Sequence, residues 1–164
     1  MSSPILHVVL VEPEIAYNTG SVGRTCVALG AKLWLVRPLG FTIEDRHLRR
    51  AGLDYWPRLD YEVIDEFAAL AERLGGRRMW YFSTRGQTPY TDASFGHGDV
   101  LVFGSESRGL ARGLLEAHPE HTLRIPIAPQ ARSLNLSVSV AVGAFEAVRQ
   151  IEGAASLGGC TIDG

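Results

Sequence analysis

Four short stretches of this chain are almost wholly apolar: residues 6–11, 33–36, 79–82 and 100–103. The first is nearly continuous and reads as a strand buried on both faces, the habit of parallel sheets covered by helices. The residues between carry helical patterns. They span 19–29, stopped by Gly30, then 43–51 with Glu44 and Asp45 in its first turn, 65–74, 114–117 and 134–151. Acidic residues in a first turn favour the helix dipole. Weaker strand signals cover 58–63 and 122–127. Strand and helix alternate throughout, which predicts an α/β fold with a parallel sheet. Pattern alone gives an open Rossmann-like sheet flanked by helices.

Polar residues gather where strands end. The stretch Ser133-Leu134-Asn135-Leu136-Ser137 opens a helix that is otherwise apolar, just after the rigid Ile125-Pro126-Ile127-Ala128-Pro129. Ser and Asn compete with the helix for backbone hydrogen bonds, so they favour caps and turns. Clustered at a helix start, they offer polar groups and free N–H donors to a ligand. Residues 103–109 leave a strand as Phe103-Gly104-Ser105-Glu106-Ser107-Arg108-Gly109. Residues 12–25 follow the first strand and carry Asn18, Gly20, Gly23 and Arg24. In open parallel sheets, ligands bind beyond the carboxyl ends of strands, where such loops converge.

Gly20 and Gly23 lack the spacing of a dinucleotide loop, and Arg37 stands where a ribose would need an acid. Close backbone packing accounts for both glycines. Gly104 reads as a point where backbone meets ligand. Arg24 has two readings, a helix-surface ion pair with Glu12 or Glu14, or a functional cation.

The chain of 164 residues is long enough for one domain with a real core, and 46% hydrophobic content suits a globular protein. No apolar run approaches the roughly 20 residues of a membrane span. The start Met1-Ser2-Ser3-Pro4 shows no leader, so the expected location is cytoplasmic. Cys26 reads as a core residue and Cys160 falls in a Gly-rich tail. Neither they nor the five histidines show metal spacing, so no metal is expected. Net charge is −2, but every basic residue except Lys32 is Arg, and several cluster: Arg46, Arg49 and Arg50; Arg77 and Arg78; Arg108 and Arg112. Arg donates two parallel hydrogen bonds to phosphate. A GC-rich genome would produce the same clusters on ordinary surface helices.

Three motifs, N-T-G-x-x-x-R at 18–24, F-G-x-E-x-R-G at 103–109 and I-P-x-x-P…S-L-N-L-S at 125–137, resemble those of the SPOUT methyltransferases. With Arg49-Arg50-Ala51-Gly52-Leu53-Asp54-Tyr55, the chain resembles in particular the small tRNA 2′-O-methyltransferases that act on the wobble nucleotide, position 34, C or U. The resemblance covers about residues 5–150. It implies a deep C-terminal trefoil knot over about 99–150. Length gives one domain, spanning 1–152, and a Gly- and Ala-rich composition predicts a flexible tail at 153–164. The resemblance implies S-adenosyl-L-methionine, leaving as S-adenosyl-L-homocysteine, held by Phe82, Ser83, Thr84, Gly104, Glu106, Ile125, Ser133, Leu134 and Asn135. Catalysis would fall to Arg24, with Asn18, Glu106, Ser133 and Asn135 orienting the reactants. Arg24, Arg46, Arg49, Arg50 and Arg108 would bind tRNA, across a homodimer formed through the knot region. Relatives often carry Tyr where this chain has Phe145, so one hydroxyl is absent. A non-catalytic RNA- or nucleotide-binding module, or a 2′-O-methyltransferase for another RNA site, stays open beside this reading.

Overall fold

The computed structural model describes residues 2–44, 46–51 and 54–153; the side chains of Arg49 and Ala51 lie outside that description. Asp45, Gly52, Leu53, Cys160 and the expected tail beyond 153 also lie outside it. Seven strands form one sheet in the order β3-β2-β1-β6-β4-β7-β5. They are β1 His7–Val11, β2 Lys32–Val36, β3 Tyr61–Ile64, β4 Met79–Phe82, β5 Thr88–Pro89, β6 Val100–Phe103 and β7 Thr122–Arg124. Every pairing is parallel.

Five α-helices connect them: α1 Ala16–Leu29, α2 Arg46–Ala51, α3 Phe67–Arg73, α4 Arg112–Ala117 and α5 Leu136–Glu152. Side chains alternate across a strand, so β1 feeds both faces. Leu6, Val8 and Leu10 pack under α1 and α5 with Val22, Cys26, Val140 and Ala144. Val9 faces the other way, toward Leu70 of α3, Leu74 just after it and Leu115 of α4. The result is helix, sheet and helix in three layers. Cys26 is fully buried, and burial pushes its thiol up to about 12, so it packs as a small apolar residue.

The sequence reading differs from this fold mainly at element ends. The expected strand 58–63 begins as a 3-10 turn, Trp56–Arg58, whose proline sits in the first turn where it has no N–H to lose. The last strand stops at Arg124, two residues before Pro126. Helix α1 starts three residues before the expected Thr19, and α5 starts at Leu136, with Asn135 as its cap. The two-residue β5 has no sequence signal. It is an edge strand ending in proline, where a missing donor costs nothing.

Candidate active site at the carboxyl ends of the strands

Phe82 of β4 pairs with Phe103 of β6 and with Leu123 of β7, so these three strands end side by side. The loops leaving them surround a cavity of about 550 Å³, within the range of small-molecule sites. The Phe82 and Phe103 rings stack 4.6 Å apart among its lining residues. All nine residues expected to hold the cofactor line this cavity: Phe82, Ser83, Thr84, Gly104, Glu106, Ile125, Ser133, Leu134 and Asn135. Gly104 is required for a reason other than ligand approach. A Cβ there would collide with the backbone of Gly109 and Leu110, so the loop after β6 folds tightly onto its own start. An isolated bridge between Ser105 and Gly109 closes that loop.

Glu106 turns toward α1. Its carboxylate accepts from the backbone N–H of Glu14 at 2.7 Å and of Ile15 at 3.0 Å. No side chain of α1 itself caps that helix. A carboxylate from 92 residues away fixes its entry and places negative charge at the positive end of its dipole. Asn18 Nδ2 also donates to Glu106, at 3.3 Å. Asn18 Oδ1 then accepts from Asn135 Nδ2 at 3.0 Å. Asn135 Oδ1 accepts from the backbone N–H of Ser137 at 2.9 Å and caps α5. The direction of this chain follows from its end. An ionised carboxylate only accepts, so each amide must present its nitrogen toward Glu106 and its oxygen away. Three segments distant in sequence thus meet in one file of hydrogen bonds.

Arg24 stands apart. It is exposed on α1, does not line the cavity, and holds its guanidinium 4.7 Å from the centre of the Tyr55 ring. The ion pair with Glu12 or Glu14 does not form. Glu12 pairs with Arg108 at 3.8 Å, and Glu14 accepts from the Ser107 hydroxyl at 2.5 Å. Arg108 reaches the cavity rim; Arg46 and Arg50 are exposed on α2, away from it. Two exposed arginines outside the motif residues, Arg85 and Arg132, also line the rim. Their signal was position, since each adjoins a stretch singled out for the cofactor.

The sequence model of the SpoU rRNA Methylase family matches residues 5–145. A tRNA (cytidine(34)-2′-O)-methyltransferase of Burkholderia cenocepacia strain HI2424 is 49% identical over 149 residues, covering 89% of this chain and 96% of that one. Its counterpart in Methylovorus glucosotrophus strain SIP3-4 is 45% identical over 147 residues, with 89% and 96% covered. A solved structure that concerns the 2-OH methylation of C/U34 on tRNA superposes with a TM-score of 0.85 at 51% identity, covering 88% of this chain and 95% of that one. The SpoU methyltransferase AviRb of Streptomyces viridochromogenes, solved with the cofactor AdoMet, gives a TM-score of 0.79 at 25% identity over 92% of this chain and 59% of its own. Fold, strand-end cavity and sequence agree, and the chain belongs to the SpoU rRNA methylase family.

Proposed function

We propose that this protein transfers a methyl group from S-adenosyl-L-methionine to the ribose 2′-hydroxyl of the wobble nucleotide of tRNA, C or U at position 34. The observation that carries the reading is the cavity at the ends of β4, β6 and β7, joined by the Glu106–Asn18–Asn135 file to the helix that bears Arg24. The wall chemistry fits such a cofactor. Ile125 and Leu134 offer apolar surface, and Ser83, Thr84 and Ser133 offer polar groups. The bound sulfonium supplies a methyl group that is already reactive. The protein's own task is to align a weak nucleophile, which can supply several kcal/mol of the barrier.

Arg24 is the residue for the ribose end. A guanidinium stays protonated, so it does not serve as base. It grips the phosphate and stabilises the developing alkoxide. Arg46, Arg50, Arg108 and the Arg49 position extend the phosphate contacts, with Arg85 and Arg132 at the rim. Residues 1–152 act as one domain. The knot over about 99–150 is supported by strand order, since the chain leaves β6, crosses to β7 beyond β4, and returns as α5 against α1.

The homodimer is supported by exposed apolar side chains. Tyr17 of α1 and Val138 and Phe145 of α5 are each about half exposed or more, at 60%, 46% and 47%, on two helices that pack together. The other half of each stripe is spent in the core, at Val22, Cys26 and Val148. Arg24 stands off its own cavity, which suits service to the partner's. No helix among the described residues is long and apolar enough to cross a membrane. The cytoplasm is the proposed place of work.

The test has two parts. The purified protein, given labelled S-adenosyl-L-methionine and a tRNA bearing C or U at position 34, should yield the 2′-O-methyl nucleotide there. Mass spectrometry of tRNA from a strain lacking the gene should show that nucleotide unmodified. Methylation at another position, or cofactor binding with no transfer to any RNA, would sink the reading. Light scattering at micromolar concentration should give a dimer, and an active monomer would remove that part.

A further inference from the structure

Among the described residues, Arg24 makes no hydrogen bond and no ion pair; its guanidinium carbon lies 4.7 Å from the centre of the Tyr55 ring. That choice of partner matters. Guanidinium N–H donors lie in the plane of the group, at its edge. A carboxylate would occupy that edge. An aromatic ring holds the cation through the attraction of its quadrupole and has no lone pairs in the plane of the donors to compete for them.

The ring is delivered by packing one residue away. A Cβ on Gly23 would lie 3.0 Å from Leu59 Cδ2 and 3.2 Å from Trp56 Cζ3, so the turn after Tyr55 rests directly on the helix beside Arg24. Trp56 is anchored in turn against Tyr61, with ring centres 4.9 Å apart. Gly23 receives Trp56, and the neighbouring residues are thereby brought together, with the Arg24 guanidinium carbon over the Tyr55 ring. The absence of a side chain at Gly23 serves this contact and owes nothing to a nucleotide loop.

We propose that Tyr55 is a positioning residue for methyl transfer. It holds the Arg24 cation over its ring without taking up a hydrogen-bond donor through a carboxylate, so that the donors stay free for the phosphate and the developing alkoxide of the RNA ribose. The inference rests on the role proposed for Arg24, and the experiment separates the two. Tyr55→Leu removes the ring and keeps apolar bulk, Tyr55→Gln removes both, and Tyr55→Phe keeps the ring.

Leu and Gln variants should lower kcat on tRNA by about tenfold, with the KM for S-adenosyl-L-methionine and the melting temperature unchanged. The Phe variant should match wild type. In 15N spectra, the Arg24 Nε–H signal, assigned by its loss in Arg24→Lys, should be shifted upfield by the ring in wild type and Tyr55→Phe only. Wild-type kcat in both ringless variants would overturn the proposal. So would an Arg24 signal that does not move, or a Phe variant as slow as the Leu variant. Full activity in Arg24→Ala would instead defeat the role of Arg24, while the spectra still report the stack.

Discussion

The two ends of the sheet are built on opposite plans. At the amino end, charge is used up locally. Asp99, 6% exposed, takes donors from Arg78 at 3.0 Å, Trp80 at 2.8 Å and the Gly96 backbone at 2.9 Å, all on one oxygen. Lys32 and Arg73 both pair with Glu62 and both lie over the Trp34 ring. His7 accepts from Trp34 Nε1 at 3.0 Å and is buried. At the carboxyl end, Glu106 is spent on backbone N–H groups and an amide, Glu12 holds Arg108, Glu14 holds the Ser107 hydroxyl, and Arg24, Arg85 and Arg132 carry no ion pair among the described residues. Paired charge closes a surface, and unpaired arginine leaves one open to an anion. Arg24, Arg85 and Arg132 are thereby open to an anionic ligand in a way that Arg73 and Arg78, each held by a carboxylate, are not.

The largest expected effect belongs to the closed end. Asp99→Ala leaves a buried indole N–H and a backbone N–H without acceptors, and should cost about 3 kcal/mol of stability in a thermal melt. Affinity for S-adenosyl-L-homocysteine, measured below that melt by calorimetry, should be unchanged. Loss of affinity in the folded variant would break the division between the ends.

His7 comes next. Burial, aided by Arg77 and Lys32, lowers it from 6.5 to about 4. Its folded pKa lies below its unfolded one, so the unfolded chain binds the extra proton between those values, and stability falls as pH falls. The contribution is complete above pH 6.5 and should shrink by about 2 kcal/mol between pH 7 and pH 5. Denaturant titration of wild type against His7→Gln checks this. A slope that survives in the variant would place the effect elsewhere.

Smaller in stability, but sharper for the site, is Glu106→Gln. It keeps one acceptor oxygen where two serve now, and should cost about 1 kcal/mol. Cofactor affinity should fall about tenfold, because the Asn18–Asn135 file loses its fixed direction. Equal affinity in the variant would mean that the file supports only α1. The smallest effect is expected from Arg108→Ala. Its pair with Glu12 is exposed and 3.8 Å long, so stability should change by less than about 0.5 kcal/mol. Affinity for tRNA should drop, with a shallower dependence on salt.

The sequence made the sheet legible because its strands are uniformly apolar; β4 and β6 match the expected bounds of 79–82 and 100–103. The cavity was legible through its motifs, since residues that gather at strand ends must converge in a parallel sheet. What escaped depends on distance along the chain. The start of α1 could not be placed locally, because its cap comes from Glu106. Gly104 lines the cavity as the sequence leads one to expect, but the loop of Gly109 and Leu110 that closes against it is not visible in the local pattern. The contact of Tyr55 with Arg24 has no local signal, because the two are far apart along the chain and meet only through the fold. The apolar stripes of α1 and α5 divide between core and surface in a way that periodicity does not specify.

The file from Glu106 to Asn135 also bears on how the site comes into being. Its hydrogen bonds join residues 88, 92 and 117 positions apart. Contacts of such separation form late, since each must first close a long loop. A chain still emerging from the ribosome, grown through β6 but short of α5, already holds Asn18 and Glu106 and has no Asn135 to join them. Such a chain has most of its sheet and no finished cavity. A cavity walled by residues of both stretches is complete only when the chain is, and a cofactor bound there stabilises the finished fold by mass action.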